Sequence, residues 1–120
     1  MKIVLDGMGG DNAPGAIVKG AVEAAKLIKH DIYIVGRKED IEAELKKSKF
    51  KGKNIKIVDA REVITMDDSP VKAIRRKTES SMVVGLTMVK DGQGDIFISG
   101  GNTGALVVGA RMILGRIEGI

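Results

Sequence analysis

The chain has 120 residues, 43% hydrophobic and 30% charged, the balance of a soluble globular protein and enough length for one core but not for two full domains. Lys and Arg outnumber Asp and Glu by 20 to 16, and the net charge of +4 suits an anionic substrate or an acidic protein partner; with only Tyr33, Phe50 and Phe97 to stack on bases, no nucleic-acid surface is expected. The absence of cysteine excludes disulfides, thiolate metal sites and a cysteine nucleophile and fits a cytoplasmic enzyme, while Asp6 interrupts the first apolar run too early for a signal peptide and no run approaches the roughly 18 residues of a membrane span.

Ile3-Val4-Leu5 reads as a first strand, short, β-branched and closed by Asp6 and Gly7. A helix follows, opened by Pro14, with Ile17, Ala21, Ala24 and Ile28 spaced as one apolar stripe. Ile32 to Val35 forms the second strand. From Glu39 to Lys49, Ile41 and Leu45 share one side, acids lie at the start and Lys46, Lys47 and Lys49 at the end, in line with a helix dipole. Ile55 to Val58 is the third strand. Ser69-Pro70 places a cap residue and a first-turn proline before a short helix, Val71 to Lys77, and Ser80 or Ser81 opens another that runs through Val89 and stops at Gly92-Gln93-Gly94. Ile96-Phe97-Ile98 is the fourth strand, and Asn102 to Leu114, apolar almost all round, is expected to be a buried helix ended by Gly115. Three of the four strands are almost wholly apolar, as in a parallel sheet covered on both faces. The alternation predicts an α/β fold: a doubly wound, mainly parallel sheet with helices on both faces and right-handed crossovers. The pattern stops after a helix with no closing strand, as expected of part of a longer domain.

Open α/β sheets bind ligands beyond the carboxyl ends of their strands, which directs attention to two glycine-rich turns. The first, Asp6-Gly7-Met8-Gly9-Gly10-Asp11-Asn12-Ala13-Pro14, is not a dinucleotide fingerprint, because Asn12 stands at the third glycine position and the second strand ends in Gly36-Arg37 rather than an acid. No Gly-Lys-Ser/Thr follows, so it is not a P-loop. Asp6 and Asp11 suit orienting a substrate group or holding Mg²⁺, and Asp11 and Asn12 suit capping of the next helix equally well; Asp6, at the strand's end, is the stronger functional candidate. The second turn, Ser99-Gly100-Gly101-Asn102-Thr103-Gly104-Ala105, offers free backbone N–H groups at a helix start, with Asn102 and Thr103 as further donors, which makes an anion site. Spacing alone leaves that reading level with a tight turn whose glycines serve helix packing. Arg75-Arg76-Lys77 is read first as a solvated helix end, and alternatively as a phosphate or carrier-protein contact. His30 is structurally ordinary where it stands, and the methionines fit core positions.

Three blocks in order resemble the PlsX phosphate acyltransferases of bacterial phospholipid synthesis: Asp6 to Pro14; Asp68 to Lys77 with Ser80-Ser81-Met82; and Ser99 to Leu106 followed by Gly115-Arg116-Ile117. Gly7 and Gly100 depart from the alanines of the family pattern. The resemblance implies a transfer of a fatty acyl group from acyl carrier protein to inorganic phosphate, without a cofactor or metal, on the fold shared with isopropylmalate dehydrogenases and phosphate acetyltransferases. It also implies a cytoplasmic homodimer with peripheral membrane association, and a family chain that continues past Ile120, so that residues 1–120 are the N-terminal part of one acyltransferase domain.

On this reading phosphate attacks the thioester directly, since neither a cysteine nor a Ser-His pairing offers a covalent route. Asp6 and Asn102 are the candidate catalytic residues. Gly9, Gly10, Asn12, Ser99, Gly100, Gly101, Thr103 and Gly104 are the candidates for binding phosphate and substrate, with Arg75 and Arg76 neutralising phosphate or meeting the acidic carrier. Two rivals stand beside it: an NADP-dependent dehydrogenase domain with Arg37 on the 2′-phosphate, and a non-catalytic binding or dimerisation module.

Overall fold

The computed structural model describes residues 1–115. Its strands are β1 (Lys2–Asp6), β2 (Asp31–Gly36), β3 (Ile55–Asp59) and β4 (Ile96–Ile98); its helices are α1 (Gly15–Leu27), α2 (Lys38–Lys47), α3 (Pro70–Arg76), α4 (Ser81–Lys90) and α5 (Thr103–Gly109), the last continued by a π-helical turn, Ala110–Leu114. The strands form one all-parallel sheet in the order β3-β2-β1-β4. The chain thus steps from β1 outward through β2 to β3, then crosses back to lay β4 on the other side of β1. That reversal opens a crevice between the carboxyl ends of β1 and β4, the place where such sheets bind ligands.

Side chains alternate across a strand, and both faces of this sheet are apolar. Ile32 and Ile34 face α1 and α2 in a core with Val18, Ala21, Val22, Ala25 and Ile41. Val4 and Val35 point the opposite way, onto Met88 of α4. Burying a side chain such as Ile34 contributes about 1.5–3 kcal/mol, so these two layers carry the stability of the sheet. A third cluster joins Ile64, Ala73, Ile74, Met82, Leu86 and Ala105, packing α3, α4 and α5 together beside it.

Three local expectations are corrected. Pro14 precedes α1 as its N-cap without a side-chain cap bond, so Asp11 and Asn12 do not cap that helix. The buried stripe of α1 is Val18, Ala21, Val22 and Ala25, while Ile17, Ala24 and Ile28 are half-buried along a groove shared with Ile3, Leu5 and Ile98. The segment after Asn102 is not buried all round: Ala105 and Gly109 face inward, but Val107 is 65% exposed and Met112 48%. Arg116 and Ile117 lie outside the described residues. Among those residues, no helix is long and apolar enough to cross a membrane.

Gly85 fixes the approach of α4 to the sheet. A Cβ there would overlap the Phe97 ring of β4. Gly85→Ala is expected to destabilise the protein by about 1–3 kcal/mol through overpacking, read as a lower midpoint in chemical denaturation with an unchanged slope.

Candidate active site

Alternation along β1 sends Asp6 to the same face as Val4, toward α4, and leaves its side chain only 3% exposed at the mouth of the β1–β4 crevice. A carboxylate so buried needs donors. Ser81 Oγ donates to Oδ1 at 2.6 Å and the Met8 N–H to the same oxygen at 3.1 Å, while Ser99 Oγ donates to Oδ2 at 2.8 Å. Asp6 therefore joins three segments: its own glycine turn, the end of β4 and the first turn of α4. Ser99 extends the network by accepting the Gly101 N–H at 3.1 Å.

The two glycine turns meet above this carboxylate. A Cβ on Gly9 would lie 2.9 Å from the Gly101 nitrogen, and one on Gly101 would lie 3.4 Å from Gly9 Cα. Gly10 has φ +103°, a conformation that L side chains rarely adopt, and it faces the Gly100 carbonyl. Gly104 is shaped by packing instead, since Pro70 of α3 occupies the place of its Cβ.

Asn102 is 6% exposed and fully engaged. Its Oδ1 caps α5 by accepting the Ala105 N–H at 3.0 Å, and its Nδ2 donates to the Thr65 and Asp68 carbonyls at 3.0 and 3.1 Å. With the Ala105 and Gly101 N–H groups directed to side chains, the first-turn donors left to α5 are those of Thr103 and Gly104.

A cleft of about 280 Å³ opens here, between Gly10, Asp11, Gly101 and Asn102 on one side and the loop Val63 to Asp67 on the other. The charged side chains in its lining are Asp11 and Asp67, with no cation among them. A larger cavity, about 510 Å³, lies toward the amino-terminal ends of the strands around Lys2, Tyr33 and Gln93 and touches neither glycine turn.

The loop wall is braced from α3. Lys77 Nζ donates to the Val63 carbonyl at 2.8 Å and to Asp68 Oδ2 at 2.7 Å, and the Thr65 N–H donates to that same carboxylate oxygen. The Lys77 ammonium and the Thr65 N–H hold the Asp68 carboxyl below the ordinary aspartate range.

The fold thus brings together Asp6, Gly9, Gly10, Ser99, Gly100, Gly101 and Asn102, with exposed Thr103 and Gly104 starting the adjoining helix. Of the candidates, Gly10, Gly101 and Asn102 line the cleft, Asp6, Gly9, Ser99, Gly100, Thr103 and Gly104 stand beside or beneath it, and three stand apart. Asn12 is exposed and absent from the lining; Arg75 and Arg76 are exposed at the far end of α3, Arg76 in a separate groove with Asp68, Ser69 and Lys72. Ser81, Thr65 and the Lys77–Asp68 pair organise the site; Ser81, Asp68 and Lys77 fall in the second resembling block, where the sequence assigned them no place in the site, and Thr65 falls in none. The nearest signal was the Ser80-Ser81 doublet, in which Ser80 proves to be the α4 cap and Ser81 the buried donor.

Nor does the first turn make a dinucleotide cradle. The places of Cβ atoms on Gly7 and Gly9 are filled by Ile34, Val35 and the second turn, and α1 begins only at Gly15. Among the described residues, no cluster of three or more His, Asp or Glu side chains is arranged to hold a metal ion.

The model of a family described as fatty acid synthesis protein matches residues 1–120. A Clostridium kluyveri protein named phosphate acyltransferase is 55% identical over 120 residues, covering all of this chain and 36% of its own length. Proteins of the same name from Clostridium acetobutylicum and Clostridioides difficile are 54% and 52% identical, again over the whole chain and over 37% and 35% of their own lengths. The chain spans about a third of the length of these relatives.

Proposed function

Because the chain belongs to the fatty acid synthesis protein family along its whole length, we propose that it is the N-terminal part of an α/β acyltransferase domain that moves a fatty acyl group from acyl carrier protein to inorganic phosphate, giving acyl phosphate for phospholipid synthesis. The observation that carries this reading is the contact of two glycine turns, through Gly9 and Gly101, over a buried carboxylate at the switch point of the sheet. Relatives bearing the name phosphate acyltransferase supply the chemistry to which that geometry is suited.

A phosphate oxygen attacks the thioester carbonyl, the new C–O bond forms, the C–S bond breaks, and the phosphate proton leaves with the carrier thiol. Positioning and backbone electrostatics supply the acceleration. Thr103 through its N–H and its hydroxyl, and Gly104 through its N–H, donate to phosphate, and Gly10 and Gly100 let it approach the backbone. Asp6, Ser99 and Asn102 act as positioning residues, because their polar atoms already serve protein partners. Asn12, exposed in the first turn, is left to the substrate approach. Arg75 and Arg76, remote from the lining, are assigned to the acidic carrier protein rather than to phosphate. On the same reading the whole protein is a cytoplasmic homodimer that associates peripherally with the membrane through a part outside this chain.

The test is acyl-phosphate formation by the full-length protein with acyl carrier protein and varied phosphate. Thr103→Ala is expected to raise the phosphate KM about 3- to 10-fold, and Asn102→Ala more, because it also releases the loop wall. An unchanged phosphate KM and kcat in both variants would remove the turn from the mechanism.

A further inference from the structure

The segment between α3 and α4 belongs to neither glycine turn, yet it touches both walls of the cleft. Lys77, at its start, holds the loop wall through the Val63 carbonyl and the Asp68 carboxylate. Ser81, at its end and 75 residues from Asp6 in sequence, donates to the carboxylate beneath the glycine turns. The turn between them is itself sewn to the base of the loop. Glu62 N–H donates to the Glu79 carbonyl, Ser81 N–H donates to the Glu62 carbonyl, and Glu79 N–H donates to Glu62 Oε1, all at 3.1 Å. Residue 62 stands directly before Val63, where the loop wall begins. Ser80, wholly buried, caps α4 through the Val83 N–H, so Ser81 is presented from a fixed helix end.

We infer that the turn from Lys77 to Ser81 sets the width of the cleft, with Lys77 and Ser81 as positioning residues for phosphate: one side chain grips the loop wall and the other the carboxylate under the opposite wall. Each strut ends on a group that in turn fixes an amide of the cleft. From Ser81 the path runs through Asp6 to the Met8 N–H, and through Ser99 to the Gly101 N–H. From Lys77 it runs through Asp68 to the Thr65 N–H, whose carbonyl then receives Asn102 Nδ2. A shift of this turn therefore disturbs the hydrogen bonds that hold amides of both walls.

The inference rests on the phosphate-transfer reading for its kinetic readout and on geometry alone for its exchange readout. In the full-length protein, Ser81→Ala and Lys77→Met are each expected to raise the phosphate KM about tenfold, with the acyl-donor KM and kcat within about threefold of wild type. Lys77→Arg keeps a charged donor and recovers most of the loss. Amide hydrogen exchange is expected to quicken at Met8 and Gly101 in Ser81→Ala and at Thr65 in Lys77→Met, ahead of the sheet amides. Both donor and phosphate KM unchanged in an active protein, or exchange at these three amides no faster than wild type, overturns the inference. If the wild-type protein forms no acyl phosphate, the transfer reading fails and the exchange result alone decides the role of the turn.

Discussion

Asp6→Ala is expected to lose about 3–5 kcal/mol of stability and, in the full-length protein, about a hundredfold in kcat/KM for phosphate. Truncation leaves the Ser81 and Ser99 hydroxyls and the Met8 N–H without their acceptor in a site that is 3% exposed. Each orphaned buried donor costs about 1–3 kcal/mol, and the total falls below a simple sum because the hydroxyls can rotate to other acceptors. Asp6→Asn is milder, about 1–3 kcal/mol. Its tolerated orientation keeps the oxygen on Ser81 and Met8 and turns the amide toward Ser99, whose hydroxyl still has a lone pair to accept with. This ordering separates a positioning carboxylate from one that exchanges protons with substrate. A positioning Asp6 gives graded losses, Ala worse than Asn, with stability and phosphate KM moving together. A proton-transferring Asp6 gives an Asn variant of nearly wild-type stability whose kcat falls by about a hundredfold or more. That second outcome would sink the reading.

How far such a site is legible beforehand depends on the distance over which its parts communicate. The sheet was legible because Ile32 and Ile34 against Tyr33 and Val35, bounded by turn residues, carry a local pattern that the parallel sheet then uses on both faces. The glycine turns were legible as punctuation. The rotation of α1 was not, because Ile17, Ala21, Ala24 and Ile28 compete with Val18, Ala21, Val22 and Ala25 for the sheet, and only the packed helix chooses between two overlapping stripes. The π-helical turn at Ala110–Leu114 had no proline or glycine pair to announce it. Within the site, Asp6 reads as a substrate-facing acid until Ser81 and Ser99 arrive from 75 and 93 residues away. Asn102 reads as a donor to phosphate until its amide meets carbonyls 37 and 34 residues upstream. Local spacing pointed to residues that the fold brings together but not to the protein partners of Asp6 and Asn102, because those partners lie outside any local window.

The two departures from the family pattern differ for the same reason. Gly100 is open, with Gly9 O at 3.8 Å the nearest atom to an added Cβ, whereas a Cβ on Gly7 would press on Ile34 Cγ2 at 2.7 Å and the Val35 carbonyl at 3.0 Å. In this chain the first turn sits tight against β2, with the Gly7 N–H donating to the Val35 carbonyl at 2.8 Å. The glycine at 7 therefore belongs to how the turn is seated on the sheet, and the glycine at 100 leaves room above it.

Gly9→Ala, by contrast, tests the contact on which the site depends. The added methyl would stand 2.8 Å from Asp6 Oδ2, 2.9 Å from the Gly101 nitrogen and 3.0 Å from Ser99 Oγ, and none of these is the free end of a flexible side chain. One is backbone of the facing turn, and the others are a buried carboxylate and its donor. Relief requires the two turns to separate, which stretches the Ser99–Asp6 hydrogen bond between them. The expected cost is about 1–3 kcal/mol of stability from overpacking, and because a displacement near 1 Å at a positioning site costs about a hundredfold in rate, kcat/KM for phosphate is expected to fall by about that factor. Gly20→Ala is the matched control: it lies within α1 with nothing near its Cβ, and alanine there is expected to add about 0.5–1 kcal/mol of stability and leave activity unchanged. If Gly9→Ala in the full-length protein retains wild-type kcat/KM for phosphate while losing stability, the contact of the two turns is a packing feature of the sheet edge, and phosphate is held elsewhere.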